Sequence, residues 1–306
     1  MDNKEPALSE PEEPTMSENE GLVLNEHEGH PLNIERILVA LDASTHSLTA
    51  LETAVDLAVR FDADLIGVFV EDVNLLRLAD LPFASEVGHF SAARRRLNGQ
   101  GVELQLRARS MRIRRTFKTI TTRAQVRRTF RVVRGGVDRE LLAAAAEADL
   151  IVLGKRGWAL PHVRYLGSTA RALLEQGPDL TLLLQDGVRL TGPVLLVYDG
   201  SSIADKALEA AVLLVDGEMY AVTVLLLAED EAESQRLRER ITTWLQDREL
   251  EVNCRQLTVA NVNRLVHRIQ MEAYGTLVLP ARGALVRSEP LITLLHEIEM
   301  PILLVR

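Results

Sequence analysis

The chain has 306 residues, a comfortable length for two compact α/β domains and a long one for a single domain. Hydrophobic residues make up 47% and charged residues 26%, ordinary values for a globular protein, and the net charge of −9 argues against wholesale nucleic-acid binding. One cysteine, Cys254, excludes an intramolecular disulfide framework, no apolar run approaches the roughly 20 residues that span a bilayer, and the acidic start is unlike a signal peptide; a cytoplasmic, reducing location without membrane insertion is expected.

Residues 1–30 are rich in Glu, Pro, Ser and Asn and poor in large apolar groups. They cannot bury enough surface to offset their ordering entropy, so a disordered acidic tail is expected. Ile34 to Leu41 then reads as a strand. Thr45 to Arg60 carries Leu48, Leu51, Val55, Leu57, Ala58 and Val59 at mostly helical spacing, and Asp64 to Val70 reads as a second buried strand. Strand, helix and strand without a hairpin turn imply a parallel unit with a right-handed crossover. Asp42 stands at the carboxyl end of the first strand, where open α/β sheets bind ligands. Two roles fit it: accepting from a ribose hydroxyl or holding a metal, and capping the following helix.

Glu71 to His89 reads as an irregular loop leaving the presumed ligand edge, long enough to serve as a lid. Glu71 and Asp72 read better as a solvated turn than as a metal pair. Arg94 to Arg134 is strongly basic, with fourteen Lys and Arg residues against the single acid Glu103, and Asn98-Gly99-Gln100-Gly101 interrupts it. Leu104, Met111, Ile113, Phe117 and Ile120 give its second part an uneven helical stripe. A solvated outer helix whose arginine stems cover apolar surface is the favoured reading. A basic helix also suits nucleic acid, acidic lipid or an acidic partner. The aromatics that single-strand binders interleave are limited to Phe117 and Phe130, so nucleic acid is not expected.

Thr129 to Val133 is read as a third strand and Asp138 to Ala148 as an alanine-rich helix. Leu150 to Leu153 follows as a strand buried on both faces. Gly154 ends it, Gly157 comes three residues on, and Gly167-Ser168 opens a helix marked by Ala170, Leu173 and Leu174. Leu180 to Leu184 is a fifth strand. Glycines at a strand end let the backbone approach a ligand, and the following helix start offers unpaired N–H groups and the positive end of its dipole. Strand, glycine loop and helix start together favour a phosphate. Ser168 fits either as the helix cap or as a phosphate ligand.

The pattern then restarts. Val194 to Ser202 parallels Ile37 to Ser44, Gly275 to Leu279 matches Asp149 to Leu153, and 301–305 closes the chain as 180–184 closes the first half. Between these lie an expected helix over 204–215, strand over 219–227, amphipathic helix over 234–246, strand over 252–258 and helix over 261–271. The loop chemistry does not repeat. Pro280 stands in the place of Gly154, Gly283 keeps the place of Gly157, and Ser288-Glu289 replace Gly167-Ser168 in a loop five residues shorter. A proline removes an N–H donor and Glu289 sets a carboxylate where a phosphate would sit, so the second site is expected to be dead for nucleotide. Asp199 and the serines after it are read as capping and turn residues.

Gly154-x2-Gly157-x9-Gly167-Ser168 after a buried strand resembles the ATP-binding signature of the universal stress protein family. Both halves resemble domains of that family: 31–190 as an ATP-binding type and 191–306 as a degenerate one. The resemblance implies two tandem doubly wound, five-stranded parallel-sheet domains, Rossmann-like and akin to the adenine nucleotide alpha hydrolases. It implies that Gly154, Gly157, Gly167 and Ser168 hold phosphates, Asp42 the ribose and the Val70 backbone the adenine, with Leu153 and Thr169 lining the cleft. Lys155, Arg156 and His162 do not define the family, but they are expected to add positive charge or donors near the phosphates. The implied cofactor is ATP, with or without Mg2+, and the implied role is a regulatory nucleotide sensor in stress response. The implied partners are an adenine nucleotide, a second copy or an internal pseudo-dimer through the last strands, and a regulatory protein. Neither a catalytic base near the loop nor a Walker lysine with its Ser/Thr partner is evident, so at most slow ATP hydrolysis is expected. The alternative is a tandem scaffold that binds no nucleotide and acts through protein contacts.

Overall fold

The structure, a computed structural model, describes residues 32–87, 94–96, 98–155, 168–215, 221–246, 248, 250, 252–257, 266–267, 269, 275–281, 295 and 297–306. The tail expected over residues 1–30, the loop glycines Gly157 and Gly167, and most of the helix expected over 261–271 lie outside these residues.

The first half alternates strand and helix: β1 (Arg36–Ala40), α1 (Thr45–Arg60), β2 (Asp64–Asp72), α2 (Val73–Ala79), the short pair β3 (Ser85–Val87) and β4 (Arg94–Arg96), α3 (Gly99–Arg123), β5 (Arg128–Gly135), α4 (Val137–Ala145), β6 (Leu150–Gly154), α5 (Ser168–Gln176) and β7 (Leu180–Leu184). The second half contributes β8 (Val194–Tyr198), α6 (Ser202–Val215), β9 (Val222–Leu227), α7 (Glu231–Trp244), β10 (Val252–Leu257), β11 (Thr276–Pro280) and β12 (Ile302–Val305).

Ten strands form one sheet in the order β10-β9-β8-β11-β12-β7-β6-β1-β2-β5. Numbered within its own half, each set of five runs 3-2-1-4-5. Every pairing is parallel except β12 with β7, which run antiparallel with Ile302 opposite Leu183 and Val305 opposite Leu180. The halves therefore meet edge to edge through their last strands, and the seam removes one exposed edge from each set. All five residues of β7, of β8 and of β11 are buried, as strands covered on both faces require.

Side-chain alternation sorts the core into two layers. On one face α1, α3, α6 and α7 cover Ile37, Val39, Leu65, Leu150, Leu182, Leu196, Val224 and Leu303. On the other, α4, α5 and the segments around Ile269 and Ile298 cover Leu38, Ile66, Ile151, Leu183, Leu195, Leu277 and Leu304. The sheet is thus doubly wound, with helices on both faces. On the α1 side the two halves are also tied by Arg60, which donates from Nη1 to the Leu214 carbonyl (2.8 Å) and from Nη2 to the Leu213 carbonyl (3.1 Å). These are carbonyls of the last turn of α6, where the dipole favours a cation.

The stretch after β2 differs from the loop expected over Glu71 to His89. Glu71 and Asp72 still belong to β2, and the Asp72 carboxylate accepts from the Asn74 N–H to start α2. α2 has seven residues, too few to set a periodicity in the sequence. The basic region folds into α3, and its buried stripe matches the expected one at Ile113, Phe117 and the half-buried Ile120 but not at Leu104 and Met111. Val102, Leu106, Ser110, Ile113, Phe117 and Thr121 face the sheet, while Leu104 and Met111 are 66% and 55% exposed.

Candidate functional site

The site is built where the strand order reverses. From β1 the chain moves one way to β2 and β5 and the other way to β6 and β7, so the crevice beyond the carboxyl ends of β1 and β6 is the topological switch point. Val39 lies opposite Val152, and Ala40 lies opposite Val68. Carried two residues onward, the register sets Leu41 level with Gly154 and Asp42 level with Val70. Asp42, Val70 and Gly154, expected together from sequence, are brought to one edge across three adjacent strands. Leu153 is buried at 3% exposure among the α4 and α5 side chains, so it forms the floor of that edge.

Asp42 is not the helix cap. Ser44 caps α1, its Oγ accepting from the Ser47 N–H (3.1 Å), and Asp42 Oδ1 accepts from the Ser44 N–H (2.9 Å). Ala43 between them sits at φ 68°, a left-handed conformation that turns the chain sharply out of β1. The second half repeats this unit. Asp199 Oδ1 accepts from the Ser201 N–H (3.0 Å), Ser201 Oγ accepts from the Ala204 N–H (3.2 Å), and Gly200 sits at φ 75°. The capping and turn roles read for Asp199 and its serines hold.

The repeat extends to the glycine position. The amide after Gly154, Lys155 N–H, donates to the Leu184 carbonyl (2.7 Å), and the amide after Pro280, Ala281 N–H, donates to the Val305 carbonyl (2.6 Å). Pro280 and Gly154 are therefore structural equivalents, each ending the fourth strand of its half. In the second half, Arg240 of α7 also reaches the Gly200 carbonyl (3.2 Å) and the Asp205 carboxylate, which in turn accepts from the buried Tyr198 hydroxyl (2.6 Å). A side-chain network occupies the ground over that Asp-Gly-Ser turn. Burial, reinforced by Asp205, pushes the Tyr198 hydroxyl well above its ordinary range.

α5 begins at Ser168, as the sequence requires for a helix start aimed at the crevice. Thr169 of its first turn donates from Oγ1 to Asp138 Oδ1 (2.8 Å) in the first turn of α4. This bond clamps two helix starts side by side. Asp138 was not among the expected site residues; it lies after Gly135-Gly136 at the end of β5, and only the strand order brings it beside α5. Lys155 corrects an expectation. It is 3% exposed, and its ammonium donates to the Ile298 carbonyl of the second half instead of standing as a charge at the phosphate position. Arg156 and His162 lie outside the described residues.

Beyond Val70, Glu71 is 9% exposed and its carboxylate accepts from Arg134 Nε (2.9 Å). Arg134 also pairs with Glu103 of α3 (3.2 Å), which pairs with Arg107 (3.0 Å). The Arg134 hydrogen bond, with the Arg107 charge, holds the Glu103 carboxyl below its usual range. Glu71 thus ties β2 to β5 and α3. Among the described residues no group of three or more His, Cys, Asp or Glu is arranged to hold a metal ion. Nor is any described helix long and apolar enough to cross a membrane.

Taken together, a doubly wound α/β sheet with an acidic residue, a strand-end glycine and a helix start at its switch point defines the class. Residues 33–179 match the model of the Universal stress protein family and form a domain of that family. A universal stress protein from Archaeoglobus fulgidus has a similar structure, with a TM-score of 0.70 at 16% identity over 90% of this chain and 97% of that one. A Pseudomonas aeruginosa protein of unknown function matches with a TM-score of 0.53 at 14% identity, over 89% and 92%. The cytoplasmic domain of a prokaryotic cation chloride cotransporter matches at 0.52 and 11%, over 89% and 95%. At these identities the likeness concerns the fold alone. No curated protein matches the sequence.

Proposed function

We propose that the first half binds an adenine nucleotide, ATP with or without Mg2+, and that the protein is a regulatory nucleotide sensor. The observation that carries this reading is the placement of Asp42, Val70 and Gly154 on one carboxyl edge at the switch point, in front of a helix that starts at Ser168. Asp42 is held at the carboxyl end of β1 by the Ser44 amide, and a carboxylate in that place suits a ribose hydroxyl. The first turn of α5, with Gly154, Gly157 and Gly167, suits the phosphates. The residues present fit such a ligand, whose triphosphate would supply the charge that a helix start recognises. Two domains are proposed, 31–190 live and 191–306 silent, since Pro280 replaces Gly154 and the Arg240 network covers the second Asp-Gly-Ser turn. A cytoplasmic setting, a second copy and a regulatory protein partner belong to the same proposal.

The test is mass spectrometry of small molecules released on denaturation, beside titration calorimetry with ATP and Mg2+, on wild type and Gly154→Pro. That substitution copies the second half's own residue into the first. One nucleotide per chain, lost in the variant, is the expected result. No co-purified nucleotide and no heat in either protein would remove the sensor reading and leave the tandem scaffold.

A further inference from the structure

The outward face of α3 is left unused by the nucleotide reading. α3 is 25 residues long and crosses over between β2 and β5. Its inner row is buried on the sheet, fixed by Phe117 against Gly67 and by the Phe117–Phe130 ring pair at 5.4 Å. At about 3.6 residues per turn the opposite row runs Leu104, Ala108, Met111, Arg115 and Thr122, all exposed. Arg107, Arg112, Arg114 and Lys118 flank it and are exposed too. Arg107 pairs with Glu103 and Arg114 lies over the Phe130 ring at 5.3 Å. The side chains of Arg112, Arg115 and Lys118 make no ion pair among the described residues. The first half of this row, Leu104, Ala108 and Met111, is apolar, and cations lie beside it and continue it at Arg115.

The apolar exposure is concentrated here as well. Seven large hydrophobic residues are exposed among the described residues, and five of them (Leu78, Leu81, Phe83, Leu104 and Met111) fall between α2 and the middle of α3. α2 packs on α3, and Asp80 at the end of α2 reaches Gly99 at the start of α3. The outward row of α3 thus pairs unneutralised cations with exposed Leu104 and Met111, next to α2 with its exposed Leu78. Yet the chain as a whole carries −9, so no general attraction to anions exists and any attraction is local to this face. Screening over about 8 Å at physiological salt lets such a local field act on a nearby surface without cancellation by distant acids.

We propose that this face docks on the surface of an anionic lipid bilayer, with α3 lying in the plane. Cations beside an apolar stretch are what an in-plane helix needs: the long stems reach outward to phosphate and carboxylate headgroups while the apolar stretch enters the acyl boundary. A purely electrostatic partner, such as an acidic protein or a nucleic acid, would use the arginines and leave Leu104 and Met111 without purpose. A single strand of nucleic acid would need stacking aromatics, and Phe83, at 79% exposure, is the one aromatic side chain among the five exposed hydrophobic residues. Docking by this face turns the α1 and α3 side of the sheet toward the membrane.

The test is co-sedimentation of the full chain with vesicles of phosphatidylcholine alone and of phosphatidylcholine with about a third phosphatidylserine, at low and at physiological salt. The expected result is sedimentation with the anionic vesicles only, weakening as salt rises. Arg112→Glu with Arg115→Glu and Lys118→Glu is expected to lower vesicle affinity at least tenfold. The Gln versions, checked by circular dichroism and a thermal melt, read the same loss without reversed charge. Leu104→Ser with Met111→Ser is expected to lower affinity several-fold while leaving the charge intact. No sedimentation with anionic vesicles at low salt would overturn the proposal. Binding unaffected by the charge variants would do so too. Binding that the Leu104/Met111 variant leaves unchanged would overturn the bilayer as occupant and assign the face to an acidic macromolecule. Since the readout is vesicle binding without nucleotide, its failure leaves the nucleotide reading untouched.

Discussion

Replacing Gly67 by alanine tests how α3 is seated on the sheet. Gly67 lies in the middle of β2, opposite Val39 on one side and Phe130 on the other. A Cβ added there would stand 2.6 Å from Phe117 Cε2, 2.9 Å from Cδ2 and 3.1 Å from Cζ. Carbon atoms pack best at about 3.5–4.0 Å, so ring and strand must separate by about 1 Å. Phe117 is 2% exposed and held by Phe130, so the ring has no free space to turn into. Overpacking of this kind costs about 1–3 kcal/mol, while alanine recovers about 0.4–1 kcal/mol by restricting the unfolded chain. The net expectation is a loss of about 0.5–2 kcal/mol, or roughly 1–3 °C in Tm for a protein of this size. Thermal melts of wild type, Gly67→Ala, Phe117→Leu and the double variant measure it. With leucine at 117 the ring edge is gone, so the alanine should become neutral or stabilising, a coupling of about 1 kcal/mol or more. If Gly67→Ala melts at or above wild type, or costs the same in both backgrounds, the seating of α3 described here is wrong.

Arg60→Ala removes two hydrogen bonds from α1 to the last turn of α6 and should cost about 1–2 kcal/mol, discounted for the partial exposure of the guanidinium; Arg60→Lys should recover only part. A change within about 0.5 kcal/mol in urea unfolding would show that this tie between the halves carries no weight. Ala43→Gly relieves a left-handed alanine worth about 1–2 kcal/mol against roughly 0.5–1 kcal/mol of glycine entropy, so a gain of about 0.5 kcal/mol is expected, and a clear loss of Tm contradicts the strain. Cys254 is half-buried, and burial pushes its thiol up although the Arg238 charge pulls the other way. A raised thiol favours the protonated form in the native state. Stability is therefore full below the ordinary thiol range and falls as pH climbs from that range through the raised value. The native thiol should be alkylated more slowly than the urea-unfolded one at mildly alkaline pH, and Cys254→Ala should flatten this part of the stability profile; equal rates in both states would refute the shift.

How far the sequence carried differs by element. The strand at 180–184 and the helix at 45–60 were legible to the residue, because an apolar run between polar breaks and a 16-residue amphipathic stripe each admit one conformation. The twin Asp-x-Ser turns were legible as a repeat, though which residue caps the helix was not. The carboxylate of Asp42 and the hydroxyl of Ser44 are both good caps, and only the backbone path through Ala43 assigns the N–H groups. α2 is too brief to show a period, and the α3 stripe is legible at Ile113 and Phe117 but not at its start, because Leu104 and Met111 fit a helical period as well as Val102 and Leu106 do. Period fixes which residues share a face; it does not say which face meets the sheet.

What the sequence by itself determined is local: alternation of strand and helix, glycine and serine at one strand end, proline in their place at the other, and the repeat that relates the halves. These follow from short-range rules of periodicity, φ preference and capping. What only the tertiary structure decided is long-range: the antiparallel join of β7 and β12 into one ten-stranded sheet, the turn of Lys155 away to the Ile298 carbonyl, the Thr169–Asp138 clamp, and the outward row of α3. Each depends on which strands become neighbours. That choice is made by the burial of two whole faces at once, and no window of sequence contains it.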